Sequence, residues 1–294
     1  MEIRQLRYFE AVARHRHFTH AADELHVAQS ALSHQVKQLE QELGAQLLHR
    51  TTRSVQPTEA GELVATRARS ILAEAETLRG DVDQLRGLVR GHVTIGAMLF
   101  GGELDIPAIL ARFTEAYPQI EIGLQEGTAQ RMVEMLDDGR VDVTFALEVE
   151  PPDELGRLEL SREELAVAMS PRDRLAGPGA TTPLSVGKLA GRRLIAFQRG
   201  SSTRRVVDGA LARAGVEPRI ALEANDFALV RALVARGIGL AILPRSFLER
   251  PGPRIAVRPL EPALRMTVAL WWRRDRRLSP AAQTFVDFVA AQRP

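Results

Sequence analysis

The chain contains no cysteine. That absence removes disulfides, thiolate nucleophiles, cysteine-ligated zinc and thiol-based redox sensing together. It also lacks a positively charged start followed by an apolar run, and no stretch of about 18 apolar residues could span a bilayer. The expectation is a cytoplasmic protein with no membrane partner. Lysine occurs only at positions 37 and 188, so the remaining basic residues are arginine. Such a bias can follow genome composition, and an isolated arginine therefore says little about function. No Gly-x-Ser-x-Gly elbow, His-Glu-x-x-His pair or phosphate-cradling Gly-Lys-Ser/Thr is found, which argues against the common hydrolase and nucleotide-dependent classes. No enzymatic activity and no cofactor are expected.

What is present fits an ordinary globular protein. The 294 residues allow two domains and a sizeable core, with 45% hydrophobic and 26% charged residues and a formal net charge of +2. Histidine is unevenly placed: His15, His17, His20, His26, His34 and His49 lie in the first 50 residues, and only His92 lies outside. His15-x-His17-x-x-His20 could suggest a metal site. With no nearby carboxylate or cysteine pattern, the three read as surface imidazoles around a helix end, and no metal is expected.

Residues 1–58 hold three short helical patterns. Leu6, Phe9, Val12 and Ala13 form the inward stripe of the first. Thr19 is placed to cap the second, where Ala21, Ala22 and Leu25 pack inward. In the third, Leu32, Val36, Leu39 and Leu43 follow a 4-3-4 spacing, and Ser30, Ser33, His34, Lys37 and Gln41 fall opposite. Gly44 is set to stop it. A helix with an apolar back and short hydrogen-bonding groups in front can sit in a DNA major groove. Gln29 suits adenine, Ser30 and Ser33 suit bases or phosphate, and Lys37 suits phosphate. Thr19 and His34 complete the candidate set on these helices. The polar stretch from His49 to Pro57 is long enough for a two-stranded wing, from which Arg50 and Arg53 could reach phosphates or a narrow minor groove.

Residues 59–90 carry a heptad seam. Val64, Ala68, Ile71, Ala75, Leu78, Val82, Leu85 and Val89 recur at alternating spacings of four and three. Gly80 and Gly87 lie off the seam, and each costs about 1 kcal/mol in a helix. Such a helix needs a partner, and Ile71, Leu78, Val82 and Leu85 are its candidate dimer contacts. Gly91 is expected to end it.

Residues 91–294 alternate strand and helix. Strands are expected at 93–98, 120–125 and 141–147, with helices at 104–117 and 128–137. A similar set follows: strand 194–197, helix 203–214, strand 220–223, helix 227–236 and strand 240–243. The joints Asp138-Gly139-Arg140-Val141 and Arg236-Gly237-Ile238-Gly239 look alike. Two doubly wound subdomains of the α/β class are implied, the first about 91–160 with 266–294 and the second about 161–265. Strand 266–272 and helix 279–292, capped by Ser279 with Pro280 at its first position, should return to the first subdomain.

The N-terminal motifs, taken together, resemble the LysR-type transcriptional regulators. They are Leu6-Arg7-Tyr8-Phe9-x-x-Val12-Ala13, Phe18-Thr19-x-Ala21-Ala22-x-x-Leu25, Gln29-Ser30-Ala31-Leu32-Ser33, Leu39-Glu40-x-x-Leu43-Gly44, Arg50-Thr51 and Thr58-Glu59-Ala60-Gly61. They are collinear over about 60 residues, and the rest of the chain matches the family's layout more loosely. The resemblance implies an N-terminal winged helix-turn-helix, a long dimerising linker helix and a C-terminal bilobed effector-binding domain of periplasmic-binding-protein type. It implies double-stranded DNA and a small-molecule effector as partners, and a homodimer or homotetramer. Two departures stand out: His34 occupies a position that is often Arg in the family, and Leu47-Leu48 replaces Leu-Phe ahead of the wing.

Helix N-termini that follow strands are the physical candidates for an effector, because their free N–H groups and dipole favour anions. Four qualify: 98–102, 127–128, 198–203 and 225–226. Family members often offer a hydroxyl at the first, whereas Met98-Leu99-Phe100-Gly101-Gly102 has none. The expected ligand therefore has an apolar end near Met98, Phe100 and Gly101. Its anionic group would fall to Thr128, Ser201 and Ser202, with Gln198 and Asn225 nearby. The alternative is a bilobed small-molecule-binding protein that uses its N-terminal helices for protein contact.

Overall fold

The computed structural model describes residues 1–50, 55–86, 89–97, 104–148, 153–177 and 182–292. Three helices open the chain: α1 (Ile3–His15), α2 (Phe18–Glu24) and α3 (Gln29–Leu43). Leu6, Phe9, Val12, Ala21, Ala22, Leu32, Val36 and Leu39 meet in one core, all with 3% exposure or less. Burying each large side chain among them contributes about 1.5–3 kcal/mol. Leu43, expected in the same stripe, is 41% exposed, so the packed face of α3 stops one turn early. Gly44 ends the helix in the left-handed region at φ 63°.

Thr19 does not cap α2. The cap is His17, whose ring Nδ1 accepts the Thr19 backbone N–H at 3.2 Å, placing Thr19 inside the first turn. A histidine ring nitrogen here takes the accepting role that Ser, Thr, Asp or Asn usually plays at this position. A two-stranded wing follows, β1 (Leu48–Arg50) antiparallel to β2 (Val55–Pro57). Arg53 lies outside the described residues. Leu47 and Leu48 are fully buried beneath the wing.

The linker helix α4 runs from Glu59 to Leu85. Thr58 starts it by accepting the Gly61 N–H at 3.0 Å while its hydroxyl donates to the Gln46 carbonyl at 2.7 Å. A Cβ on Gly61 would stand 2.1 Å from the Leu47 carbonyl oxygen, so only glycine lets helix and wing approach this closely. The helix ends short of Gly91. Val89 leaves the seam and packs on the α/β domain, and Gly91 opens a strand at φ 138°.

The α/β domain begins with β3 (Gly91–Ala97), α5 (Ile106–Ala116), β4 (Ile120–Glu126), α6 (Ala129–Asp137) and β5 (Val143–Glu148). Strand β3 lies between β4 and β5, parallel to both. Then come β6 (Leu155–Met169), β7 (Leu184–Ser185), β8 (Arg193–Ala196), α7 (Ser202–Arg213), β9 (Arg219–Glu223) and α8 (Phe227–Ala235). β10 (Ala241–Pro244), α9 (Arg245–Leu248), β11 (Ala256–Arg273) and α10 (Pro280–Ala291) complete it. The main sheet has the order β10-β6-β11-β5-β3-β4, with β7 beside β11, and β8 pairs with β9.

Strand β6 was not anticipated, and β11 starts at Ala256, well before the expected strand at 266. The two pair antiparallel from Ala256 opposite Met169 to Arg273 opposite Leu155. Pro259 and Pro262 disguise β11, since proline cannot donate to a ladder. The pairing accommodates them with a register shift between Pro259 and Leu264. These long strands run through both lobes and join them.

The terminal helix packs on the first lobe. Phe285 of α10 meets Phe113 of α5 edge to face at 5.0 Å, over Val93, Ile95 and Phe145. The two similar helix-to-strand joints are alike in hydrogen bonding. Gly139 N–H donates to Leu136 O and Arg140 N–H to Met135 O; Gly237 N–H donates to Val234 O and Ile238 N–H to Leu233 O. Gly139 and Gly237 take φ 68° and 76°.

Candidate functional site

The expected reading helix has the two faces its spacing implies. Leu32 and Val36 are fully buried, whereas Gln29, Ser30, His34 and Lys37 are exposed and Ser33 is half-buried. The connection from α2 is a single tight turn in which His26 takes φ 51°, with His26 N–H on Asp23 O and Val27 N–H on Ala22 O. Thr19 and Gln29 meet across it, the Thr19 hydroxyl donating to Gln29 Oε1 at 3.2 Å.

Arg50 lies at the wing, but it is engaged within the protein. Its Nη2 donates to Glu40 Oε2 at 2.6 Å, and its guanidinium lies 5.2 Å from the Phe18 ring centre. Glu40 also accepts the backbone N–H groups of Leu47 and Leu48 at 2.9 and 3.2 Å. Glu40 thus anchors the wing to α3, a role that spacing alone did not reveal because its partners are backbone groups in the next element.

The histidine cluster has a carboxylate beside it after all. His15 Nε2 is 2.5 Å from Glu24 Oε2, Arg14 donates to both Glu24 oxygens at 3.0 and 2.7 Å, and His17 stacks on His20 at 4.5 Å. Glu24 lies in the next helix and reaches His15 because α2 folds back on α1. Among the described residues no group of three His, Asp or Glu is arranged to hold a metal.

In the α/β domain, Met98, Phe100 and Gly101 lie outside the described residues. The other three candidate termini come together. Gly200 approaches Gln130, with its Cβ position 3.9 Å from Gln130 Oε1, which brings the start of α7 to the start of α6. Gln198 and Asn225 are paired: the Gln198 backbone N–H donates to Asn225 Oδ1 at 3.1 Å, and Asn225 Nδ2 donates to Gln198 Oε1 at 2.8 Å. Thr128 and Ser201 cap α6 and α7 by accepting the N–H groups of Arg131 and Arg204 at 3.3 and 3.2 Å. Each cap leaves a hydroxyl proton to donate to a bound anion. Ser202 is buried, and its Oγ accepts from Arg205 at 3.4 Å. At the fourth terminus Asp226 already places a carboxylate on the N–H of Leu229, so that end is set against a further anion.

Three phenylalanines stand at the same ends of the second lobe. Phe197 and Phe227 lie 4.9 Å apart, and Phe227 stacks on Phe247 at 3.6 Å. Phe197 directly precedes Gln198, and Phe227 directly follows Asp226. That adjacency was the only sequence signal for them.

Residues 3–62 match the family described as bacterial regulatory helix-turn-helix protein, lysR family, and residues 86–294 match the LysR substrate binding domain. The DNA-binding transcriptional dual regulator OxyR of Escherichia coli is 30% identical over 99% of this chain and 96% of its own length. The RuBisCO operon transcriptional regulator of Allochromatium vinosum is 33% identical over 99% and 96%. Among solved structures, a full-length OxyR variant from Pseudomonas aeruginosa aligns with a TM-score of 0.79 at 24% identity, over 99% of this chain and 94% of that one. Full-length CbnR complexed with its target DNA aligns with a TM-score of 0.64 at 27% identity, over 99% of both chains.

Proposed function

The chain belongs to the LysR-type family of transcriptional regulators, and from that membership we propose how its own residues act. It binds DNA and regulates transcription in response to a small-molecule effector held between two α/β lobes. Residues 1–58 read DNA, 59–90 pair two copies, and 91–294 bind the effector. Helix α3 enters the major groove, with Gln29, Ser30, Ser33 and His34 toward bases and Lys37 toward phosphate. Arg50 joins them at the wing once DNA phosphate competes with Glu40 for its guanidinium. The observation that carries this reading is the exposed polar face of α3 over a fully buried Leu32 and Val36.

The effector reading rests on the approach of Gly200 to Gln130, which brings helix starts of both lobes together, and on the Gln198–Asn225 pair, which joins two helix starts of the second lobe. Thr128 and Ser201 suit an anionic group, while the half-buried Phe227 and Phe247, backed by the buried Phe197, suit an apolar or aromatic body. The ligand shifts the balance between two arrangements of the reading heads only by its differential affinity for them. The protein acts in the cytoplasm, where its DNA is, and performs no catalysis. Among the described residues no helix is long and apolar enough to cross a membrane.

Selection of duplexes from a randomised DNA library tests the reading head. The full-length protein should enrich a sequence with two related half-sites, and a Gln29→Ala variant should lose discrimination more than total affinity. Enrichment of no sequence would overturn the reading. A thermal-shift screen of aromatic and small carboxylic compounds tests the cleft; stabilisation only by small, fully polar anions would count against the apolar subsite.

A further inference from the structure

We propose that the outer end of the second lobe is a sequence-independent contact for duplex DNA, separate from the reading head. The proposal goes beyond base reading by α3 and does not depend on it.

Charge is shared unequally along the chain. Residues 1–58 hold seven basic and six acidic residues, whereas residues 161–265 hold 18 basic and nine acidic ones, in a chain of formal net charge +2. Phosphate neutralisation supplies essentially all of non-specific DNA binding. A nearly neutral head adds little long-range attraction to it, and the positive excess lies in the second lobe.

The fold gathers part of that excess in one place. Arg193 and Arg219 begin the neighbouring parallel strands β8 and β9 and stand opposite each other in the register. Strand β8 runs from Arg193 toward Gln198 at the cleft, so its start is the outer end. Arg236, just past α8, leads into the joint whose Gly239 packs on the Arg193 carbonyl, with its Cβ position 2.9 Å from that oxygen. The turn carrying Arg172 and Arg174 is drawn to the same strand starts by Asp173, which accepts from Arg192 at 2.5 Å. Arg192 thereby neutralises Asp173. Arg172, Arg174, Arg193, Arg219 and Arg236 are all exposed, and among the described residues no carboxylate pairs with any of them. Glu217, whose carbonyl accepts the Gly191 N–H at 3.3 Å, is the other carboxylate nearby.

The chemistry of this surface selects its partner. Interfaces with another protein have an apolar, often aromatic centre. Among the described residues, the only exposed large apolar side chain beside these arginines is Ile220. Interfaces with nucleic acid are polar and strongly positive, and the planar fork of arginine matches phosphate. The linker docks on the first lobe, at Asp138 and Pro280. The patch is therefore carried away from the chain's own reading head and meets duplex other than that head's half-site.

The test measures binding of the full-length protein to a long random-sequence duplex over a range of salt. Arg193→Gln with Arg219→Gln removes two charges from the patch. Arg112→Gln with Arg274→Gln removes two exposed, unpaired charges from the first lobe and gives the same net charge. Loss of two phosphate contacts should make the slope of log affinity against log salt shallower by about two in the patch variant. The first-lobe variant should keep the wild-type slope, as should Arg193→Lys with Arg219→Lys, which preserves the charge. Gln29→Ala should keep it too, because no base is read. A wild-type slope in the patch variant would overturn the proposal. So would an equal decrease in both glutamine variants, which would make the effect one of net charge alone.

Discussion

Glu24 ties the first two helices together through its charge. It receives both Arg14 donors and sits against His15, so the ends of α1 and α2 share one carboxylate. The Arg14 hydrogen bond is the largest influence on it, and its pKa falls from 4.5 to about 2. A carboxylate with a depressed folded pKa stabilises the protein above its unfolded value, and that stability is lost as pH falls toward the folded value. Glu24→Gln should therefore lower resistance to urea at pH 7, and the difference from wild type should shrink between about pH 4.5 and 2. Denaturation curves across that range check it, and a gap that is constant with pH would assign the effect to packing. The stripe Leu6-Phe9-Val12 was legible at this scale because apolar spacing reports burial directly. The partners of Glu24 and Glu40 were not, because contacts between elements leave no period in the sequence.

At the scale of elements, α4 shows how one periodic pattern can serve several surfaces. Ala68, early in the seam, is buried against the winged domain, whereas Ile71, Leu78, Val82 and Leu85 are 41%, 64%, 43% and 88% exposed. An apolar row this exposed on a single chain suits a second copy. Replacing Leu78 and Leu85 with Asp should give monomers in sedimentation velocity, and persistence of the dimer would remove the pairing role. Off the seam, Gly80 faces Pro280 at the start of α10, where an added Cβ would stand 3.0 Å from the ring. Arg277 holds Asp81 at 2.9 Å beside it. The helix-breaking cost noted for Gly80 thus permits the linker to dock on the α/β domain. Strand β6 leaves little local pattern because its pairing partner is β11, far along the chain.

For the whole molecule, α6 connects two places that regulation must link. Thr128 begins it at the candidate cleft, and Asp138 caps its far end, where Arg69 of the linker helix donates to the Asp138 carbonyl at 2.9 Å. A cation at a helix C-terminus is favourable there. Several relatives are hydrogen peroxide-inducible genes activators, among them that of Pectobacterium carotovorum. This chain has no cysteine, so it has no thiol to oxidise. Brief peroxide treatment should leave its affinity for a selected duplex unchanged in a gel-shift titration; a peroxide-dependent change reversed by a thiol reductant would contradict this.

The sequence by itself determined the helical reading head, the exposed linker seam and the doubling of the α/β lobe. Each is written in local periodicity, capping and glycine joints, which act over a few residues. Tertiary structure alone decided that Glu40 holds the wing, that β6 and β11 bridge the lobes, and that Thr19 reaches Gln29. These are pairings between groups brought together by burial of the cores, and only the folded chain specifies which distant groups meet.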